Sequence, residues 1–517
     1  MEREAVTAYA IDSLTTPYEP ERPSLTLPPA EAVAAYREAA SRYGASDIVN
    51  AHALVQYTKG GIKYADGVGF HVWNGTHWVR NEVLVRQAAH DLGAAMVETL
   101  AREKEVIRAA LALKLAGDAL EAEYEKQVAA LPLAKASKGF TMARRIDDLI
   151  RELASVRGVH CEVDDFDNQP HLLSFANGTV DLRTGRLQPH SPDDMLTKSL
   201  PWNYNRLAKA KRWRRFLTEV FPTEPSMVDY IRRLCGYGIT GSTAEQAFAV
   251  LIGIGANGKS VFLDTLSHVF GDLSETTRFE TFEDRGSSIP ADLAALRGAR
   301  MVMASEGEAG RAMSESVLKR ATGSDRLTAR FMRENFFSYQ PCFLLWLASN
   351  HSPQFRSQDT GLWRRVKLIK FDRYFAPEER DHGIFEELRS EAEGIAAWAV
   401  AGAVEWYAEG LKEPDCIKAA TSNFKENSDA LAEFLTDIMV KTGGERDHVP
   451  AQDAYNAYRD WAEAQGEKAW TRRGFISALD ERGIRQHRMN KGRMLLGVRF
   501  AAEPTAAGPG IFAPTND

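Results

Sequence analysis

The sequence has little cysteine, no excess of positive charge and no long apolar run. Its four cysteines, Cys161, Cys235, Cys342 and Cys416, are far apart without a C-x-x-C pair, which argues against a zinc ribbon and a disulfide scaffold. The net charge of −7 means that any nucleic-acid surface is local. No apolar run approaches the ~20 residues of a membrane helix, and the start lacks the features of a signal peptide. We therefore expect a reduced, cytoplasmic protein with no membrane partner.

One stretch carries a nucleotide-binding pattern. The apolar run from Phe248 to Ile252 predicts a buried strand, and an amphipathic helix that stops at Gly271 is predicted to follow. Between them lies the P-loop pattern Gly253-Ile254-Gly255-Ala256-Asn257-Gly258-Lys259-Ser260. Its glycines let backbone N–H groups face an anion, Lys259 can reach the β/γ-phosphates, and the Ser260 hydroxyl can ligate Mg²⁺. The pattern predicts that these eight residues bind a nucleotide and its magnesium ion.

Three more buried strands are predicted downstream, at 300–306, 343–350 and 366–371. Strands that alternate with helices predict a mostly parallel, three-layer α/β core. Glu306 ends the first of these strands, where a carboxylate can hold Mg²⁺ and polarise water, and Glu308 could assist it. Asn350 ends the second, where an amide can orient that water.

Paired arginines, Arg364 and Arg365, follow Trp363 just before the last strand. They fit either a solvated edge or an arginine finger that reaches the nucleotide of a neighbouring subunit. We favour the finger without choosing between the two residues.

Residues 318–341 interleave basic and aromatic side chains, with strand-like segments on either side of a polar tip at 332–335. Contacts to single-stranded nucleic acid require this combination. The alternative is a surface hairpin with its own aromatic packing.

Before the nucleotide-binding pattern, the chain is predicted to contain a hairpin around Asn74-Gly75, a helical stretch at 84–155 and three short strands at 172–187. The charged section 102–130 is interpreted as a solvated helical arm. The carboxylates at 162–167 could be mistaken for the metal site of a polymerase or primase. We disfavour that interpretation because proline and turn residues follow directly and no partner acidic strand is evident nearby.

The C-terminal part is predicted to contain helices at 451–464 and 471–481 and then two strands around Asn490-Lys491-Gly492, as a winged helix would need. Its basic content favours a duplex-binding surface, although winged helices also serve as protein-contact modules. The candidate DNA contacts are Arg472, Arg473, Arg488, Lys491 and Arg493, with Arg485, His487 and Arg499 nearby.

The order of these motifs resembles superfamily 3 helicases: a P-loop, a strand with Ser-Glu306, Leu318-Lys-x-x-Thr-Gly-x-Asp with a basic hairpin, Ala-Ser-Asn350, and Trp-Arg-Arg. More narrowly, the chain is similar to the phage/plasmid primase–helicase family of satellite phages and poxviruses. Asn177-Gly-Thr-Val-Asp-Leu and Trp73…Trp78 resemble the domain before the ATPase in that family, and the segment from Ala454 to Trp461 resembles its winged helix. The resemblance covers about residues 50 to 500.

The resemblance implies a ring-forming, usually hexameric, ATP-driven DNA helicase in the replication of a phage or mobile element. It assigns roles to nine residues: Lys259, Ser260 and Glu306 for ATP and Mg²⁺, Asn350 as sensor, Arg364 or Arg365 as finger in trans, and Lys319, Arg330 and Arg333 for DNA in the channel. Many members end the acidic strand in adjacent acids, whereas this chain has Ser305-Glu306-Gly307-Glu308. Larger members also carry an N-terminal primase domain, so we expect a separate primase or polymerase partner here.

The expected organisation is a flexible leader (1–45), an α+β domain (46–205), an AAA+-like P-loop ATPase (206–400), a helical linker (401–430), a winged helix (431–502) and a flexible tail (503–517). Two other functions are compatible with the motifs. One is an origin-binding initiator that uses ATP as an assembly switch with little unwinding. The other is a metabolic P-loop kinase, against which the winged helix and the paired arginines argue.

Overall fold

The computed structural model describes residues 26–44, 46–283, 292–305, 313–330, 336–350, 353, 355, 359–428, 430–444, 447–465, 469–489 and 492–501. The chain is a mixed α/β, multidomain structure with a five-stranded parallel sheet. Glu306, Glu308, Arg333 and Lys491 lie outside the described residues, as does the tip of the predicted basic hairpin.

The region from residue 84 to 155 is mostly helical, as predicted, and two further helices precede it. A small antiparallel sheet contains β1 (Ile62–Ala65), β2 (Gly69–Trp73) and β3 (Trp78–Arg80), and Trp73 pairs with Trp78 across the predicted turn. The helices are α1 (Pro29–Tyr43), α2 (Asp47–Tyr57), α3 (Glu82–Ala112), α4 (Asp118–Ala130), α5 (Pro132–Thr141) and α6 (Ala143–Leu153).

Helix α1 lies where the sequence predicted a flexible leader. It begins at Pro29, a position in the first helical turn where proline is tolerated because no N–H partner is needed there. The ring of Tyr36 is fully buried among the helices that follow. The prediction of a flexible leader is thus wrong from residue 29 onward.

The arm predicted at 102–130 is a helical hairpin made by the end of α3 and by α4. The chain reverses through Gly117, whose φ is 58°. Arg108 forms an ion pair with Glu121, and its guanidinium lies 5.1 Å from the centre of the Tyr124 ring. Helix α4 has no fully buried residue, which fits a largely solvated arm.

The three predicted short strands form a meander of β4 (Leu172–Phe175), β5 (Gly178–Asp181) and β6 (Arg186–Gln188). Phe175 and Val180 belong to the same hydrophobic cluster as helices α7 (Lys211–Val220) and α8 (Ser226–Ile239). The meander therefore packs against helices that follow residue 205, although the sequence predicted a domain boundary at that residue.

The central sheet contains the four predicted strands and one more, all parallel. In spatial order they are β13 (Val366–Lys370), β7 (Phe248–Ile252), β12 (Leu344–Ser349), β9 (Met301–Ser305) and β8 (Ser274–Arg278). The additional strand β8 has the sequence Ser-Glu-Thr-Thr-Arg, and it lies at the edge of the sheet, where a polar strand can face water. The mostly parallel core is confirmed.

Both faces of the sheet are buried. On one face, Leu251 and Trp346 pack in a cluster with α8, with α9 (Lys259–Phe270) and with α14 (Ala392–Glu409). Helices α8 and α14 touch at Gly236 and Gly402, where an added Cβ on either glycine would overlap backbone atoms of the other helix. On the other face, Val250 and Leu347 share a cluster with the hairpin of β10 (Leu327–Ala329) and β11 (Phe337–Tyr339).

The predicted linker 401–430 is packed on this core. Helix α14 continues through residue 400, and α15 (Asp415–Asn427) lies along β13, where the N–H of Leu368 donates to Thr421 Oγ1 at 3.2 Å. The described part of this region also contains four shorter helices: α10 (Asp292–Ala295), α11 (Glu315–Ala321), α12 (Thr360–Trp363) and α13 (Ile384–Ser390).

The C-terminal region has its own hydrophobic cluster around Phe434, Tyr458 and Phe475. Helices α17 (Ala451–Ala464) and α18 (Arg472–Glu481) lie at the predicted positions, and Thr471 Oγ1 accepts from the N–H of Gly474 as the N-cap of α18. Helix α16 (Ala430–Asp437) precedes them. The predicted hairpin of β16 (Gln486–Met489) and β17 (Gly492–Leu496) is joined on one side by β15 (His448–Pro450), and β14 (Met439–Lys441) pairs with β18 (Val498–Phe500) in a separate two-stranded sheet.

In the ranges given above, no helix combines the length and the apolar content that crossing a bilayer requires.

Candidate functional site

The segment 253–258 connects the carboxyl end of β7 to the first turn of α9. Its backbone turns through positive φ angles at Gly255 (92°), Ala256 (49°) and Gly258 (84°). A Cβ at Gly253 would overlap Nδ2 of Asn257, and one at Gly258 would lie 3.0 Å from Val220. The loop therefore passes close to neighbouring atoms at both ends, which only glycine permits there.

Asn257 stabilises the inside of this loop. Its side chain is 4% exposed, donates through Nδ2 to the carbonyl of Phe371 at 3.2 Å and accepts the N–H of Lys259 at 3.2 Å. The N–H of Phe375 donates to the carbonyl of Ala256 at 2.8 Å. The segment after β13 thus fixes the loop from outside, a contact that the sequence pattern gave no means to predict.

The Lys259 ammonium lies at the carboxyl ends of two adjacent strands. Nζ donates to the Ser349 carbonyl at 2.6 Å, to Asn350 Oδ1 at 2.8 Å and to the Gly253 carbonyl at 3.3 Å. Lys259 is only 7% exposed. These three acceptors are neutral oxygens, and a phosphate at this position would add a charged acceptor to them.

The residues present fit a nucleotide phosphate. A glycine-lined loop, a buried ammonium and the start of an α-helix meet at one place, which is the donor set that a phosphate takes. The adjacent Ser260 is exposed at the first turn of α9 and is available to a cation. Ser305, the last described residue before Glu306, lies in a strand paired with β12, with Ser305 in register with Ala348.

A cavity of about 300 Å³ opens beside the loop. It is lined by Ile254, Asn350, Lys370, Asp372 and Asn423, among others. The side chain of Ile254 is fully exposed. Helix α15 therefore contributes one wall next to the predicted nucleotide-binding loop.

The two predicted finger candidates differ in their surroundings. Arg364 is exposed, and its Nη2 donates to Gln246 Oε1 at 2.6 Å. Arg365 is half-buried and donates within its own chain to the carbonyls of Gly361 at 3.1 Å and Lys319 at 3.2 Å. Burial, with Arg364 adding to it, lowers the pKa of the Arg365 guanidinium.

Two of the predicted channel residues lie in or next to the basic hairpin. The guanidinium of Arg330 lies 4.7 Å from the centre of the Phe336 ring, and both side chains are exposed next to the undescribed tip. Lys319, on α11, forms an ion pair with Asp359, and this interaction lowers the pKa of the carboxyl group. Arg330 is thus presented to solvent, whereas Lys319 is held by a neighbouring helix.

The C-terminal arginines are on the surface of the last hairpin and helix. Arg488 and Arg493 are directly opposite each other on β16 and β17, and both are exposed. Arg472 and Arg473 are exposed in the first turn of α18. Like charges opposite each other on a ladder are unfavourable without a counter-charge, which an anionic ligand would supply.

The carboxylates at 162–167 are used within the fold. Asp165 accepts the backbone N–H of Glu162, Asp164 pairs with Arg326 and Asp167 accepts the N–H of Thr197. Among the residues that the structure describes, no three histidine, cysteine or acidic side chains cluster as a metal site would. These three aspartates therefore stabilise the fold around this segment.

Two family models match the chain. A model described as "D5 N terminal like" matches residues 51–222, and a family of unknown function (DUF5906) matches residues 251–365. The second match contains the loop, Lys259, Asn350 and both arginines.

Several viral proteins are similar in sequence. "Putative helicase L207/L206" of Acanthamoeba polyphaga mimivirus is 26% identical over 365 residues, covering 66% of this chain and 37% of that protein. "Putative helicase 184R" of Invertebrate iridescent virus 6 is 22% identical, covering 60% and 36%. "Putative primase C962R" of African swine fever virus is 21% identical, covering 58% and 34%. The chain thus spans about a third of the length of the curated relatives it matches.

Among solved structures, the apo C-terminal region of NrS-1 (305–718) matches with a TM-score of 0.38 and 13% identity, covering 58% of this chain and 79% of that one. This likeness is too weak to support an inference about the site. The D5 N terminal like segment and the viral helicase and primase relatives, taken together, identify the chain as a member of the phage and viral primase–helicase family.

Proposed function

We propose that this protein is an ATP-dependent DNA helicase or translocase that acts in phage or plasmid replication. The observation that carries the proposal is the position of Lys259. Its buried ammonium lies at the end of a glycine-lined loop and within 2.8 Å of Asn350, at the carboxyl edge of a parallel sheet. Ligands of open α/β sheets bind at that edge.

The proposed core is an AAA+-like P-loop ATPase. Residues 253–258 would surround the phosphates with backbone N–H groups, and Lys259 would neutralise charge on the β/γ-phosphates. Ser260 and Glu306 would hold Mg²⁺, which supplies charge stabilisation when bound. When the nucleotide binds, Lys259 would leave Asn350 for the phosphates. The released Asn350 amide would then orient the attacking water.

We assign the finger in trans to Arg364. A finger needs a guanidinium that can leave its own subunit, and Arg364 is exposed with a single side-chain contact to Gln246 given by the described residues. Arg365 has three hydrogen bonds within its own chain. A finger in trans requires a ring, and we propose a homo-hexamer.

DNA contacts are proposed on two surfaces. Arg330 and Phe336 offer a cation and an aromatic ring side by side, which suits single-stranded DNA in a ring channel, with Arg333 at the adjacent tip. The C-terminal region is proposed to be a winged helix for duplex DNA. Its phosphate contacts would be Arg472, Arg473, Arg488, Lys491 and Arg493.

The proposed division of the chain follows the expected domains, with α1 added to the N-terminal domain and α15 to the ATPase. The opposed arginines Arg488 and Arg493 also favour a second candidate, an origin-binding initiator that uses ATP as an assembly switch.

Steady-state ATP hydrolysis with and without single-stranded DNA, together with the mass of the assembled particle, tests the proposal. We expect DNA-stimulated turnover in a particle of about six subunits. ATP-dependent assembly on duplex DNA without strand displacement would favour the initiator. DNA-independent turnover by a monomer would overturn both and favour a small-molecule kinase.

A further inference from the structure

Helices α11 and α12 are joined by three side-chain contacts. The ammonium of Lys319 forms an ion pair with the carboxylate of Asp359. The guanidinium of Arg365 donates to the Lys319 carbonyl at 3.2 Å and to Thr322 Oγ1 at 3.1 Å. Lys319 therefore contacts both ends of α12. Its side chain contacts Asp359, just before the helix, and its backbone carbonyl contacts Arg365, just after it.

Each partner on α12 is also anchored to its own helix. Asp359 Oδ1 accepts the N–H of Gly361 at 2.9 Å and thereby caps α12. Arg365 Nε donates to the Gly361 carbonyl at 3.1 Å. A Cβ at the buried Gly323 would lie 3.4 Å from Arg365 Nη1, so the backbone after α11 packs directly on the guanidinium. The two helices are thus held in one relative position.

The joined helices lead to two different functional elements. Five residues after Thr322 the chain enters β10 of the basic hairpin, which carries Arg330 over Phe336. At the other end, α12 is followed at once by the exposed Arg364. The contacts therefore lie between the proposed DNA hairpin and the proposed finger.

We propose that Lys319, Asp359 and Arg365 form a link that couples the DNA hairpin to Arg364. The inference rests on the proposed function and deepens it. A displacement of the hairpin by DNA moves α11, and the link transmits this movement to α12 and so to the finger that faces the neighbouring nucleotide. By reciprocity, nucleotide engaged by Arg364 biases the hairpin. Arg365 is then a positioning residue, and Lys319 acts through Asp359 instead of on DNA.

Hydrogen exchange on the full chain without nucleotide tests the link. Asp359→Asn keeps an equally good N-cap and removes the charge that pairs with Lys319. We expect amide exchange to rise about two- to fivefold both in the hairpin at 327–329 and 337–339 and in α12 at 360–363, because an exposed pair of this kind contributes a modest free energy. Arg365→Lys, which keeps the charge and loses the planar fork, should give the same pattern. Arg389→Gln removes an exposed ion pair with Glu386 elsewhere and should change neither segment.

A rise confined to α12 in both variants would overturn the link. Turnover gives a second, functional readout: Asp359→Asn should keep DNA-independent ATP hydrolysis within about twofold and lose most of the increment that DNA adds. Full DNA stimulation in this variant would also contradict the proposal. If the wild-type protein hydrolyses no ATP, the proposed function fails, while the exchange pattern still decides whether the link exists.

Discussion

The Nζ of Lys259 lies 2.8 Å from the Oδ1 of Asn350, so the lysine at the start of α9 and the amide at the end of β12 are in direct contact. Strands β7 and β12 are neighbours in the sheet, with Ile252 in register with Ser349, and this register brings the two groups together. A phosphate that enters the loop would compete with Asn350 for the ammonium. We therefore expect nucleotide binding to release the Asn350 amide from Lys259.

Lys259→Ala is expected to lower ATP hydrolysis by at least about a hundredfold, because the substitution removes the cation next to the phosphates. The fold should persist with a Tm lower by a few degrees, since three carbonyl and amide oxygens lose a hydrogen bond of about 1 kcal/mol each at most. Turnover and circular dichroism measure both effects. Lys418→Ala, at an exposed lysine paired with Asp415, is the control. Normal hydrolysis in Lys259→Ala would contradict the assignment of the loop.

Gly253→Ala and Gly255→Ala separate close packing from backbone strain. An alanine at 253 would overlap the buried Asn257, whereas at 255 no atom lies within 4 Å and only the positive φ of 92° is unfavourable. We expect nucleotide affinity to fall much more in Gly253→Ala, because Asn257 must move and it holds the N–H of Lys259. Titration with a fluorescent ATP analogue makes the comparison. Equal losses in the two variants would show that close packing at 253 is unimportant.

Arg364→Ala and Arg365→Ala should differ in hydrogen exchange and agree in mixed particles. Arg365→Ala removes three hydrogen bonds within one chain and should raise amide exchange in α12, whereas Arg364→Ala should leave α12 unchanged. Because Arg365 acts through Arg364 of the same subunit, a Lys259→Ala subunit, which supplies an intact finger to its neighbour, should restore ATP hydrolysis in particles of either variant. ATP hydrolysis measured across mixing ratios tests the rescue. Failure to rescue Arg364→Ala, or rescue of Arg365→Ala alone, would contradict the assignment of the finger to Arg364.

Arg488→Ala and Arg493→Ala should each reduce the salt dependence of duplex binding. If each arginine contacts one phosphate, the slope of log affinity against log salt should fall by about 1 per substitution. Neither variant should lose thermal stability, because each removes repulsion between two opposed like charges. Arg215→Ala, on the exposed side of α7, is the control for a change in charge alone. Unchanged slopes would favour a protein-contact role for this region.

Stability should decline in mild acid because of His71. Burial, with nearby Arg297 adding to it, lowers the pKa of this 1% exposed side chain to about 4. In the unfolded chain His71 takes up a proton near pH 6.5, whereas in the folded chain it does so only near pH 4. The contribution of His71 to the free energy of unfolding is therefore fully present above about pH 6.5 and is lost as the pH falls toward 4, by up to about 3 kcal/mol. Thermal unfolding of wild type and His71→Gln between pH 4 and 8 tests this. A pH profile that is identical in the two proteins would contradict it.

Strands were predictable where apolar residues follow one another without a break, because a strand buried on both faces needs apolar side chains at every position. Phe248–Ile252 is apolar throughout, and its predicted bounds are those of β7. The edge strand β8 was not predictable because Ser274–Arg278 carries no apolar pattern. Helix α1 was not predictable because five prolines lie between residues 17 and 29, a composition typical of loops, whereas Pro29 begins a helix that buries Tyr36.

The candidate site divides in the same way. Lys259 and Asn350 were predicted because a local motif and a strand end define them. The ion pair of Lys319 with Asp359 joins residues 40 positions apart, and neither residue has a local signal for the other. Lys319 was accordingly predicted to face DNA. Only the folded chain shows that its ammonium is engaged by α12.

The contact between Gly236 of α8 and Gly402 of α14 has a mechanical consequence. At this point the two helices meet backbone to backbone, so neither can slide past the other without a clash between main-chain atoms. The two helices on that face of the sheet are consequently expected to move as one unit. The hairpin and the residues that join it to Arg364 lie toward the opposite face, where longer side chains make the contacts. Movements of helices relative to the sheet are therefore expected on the face that carries the hairpin.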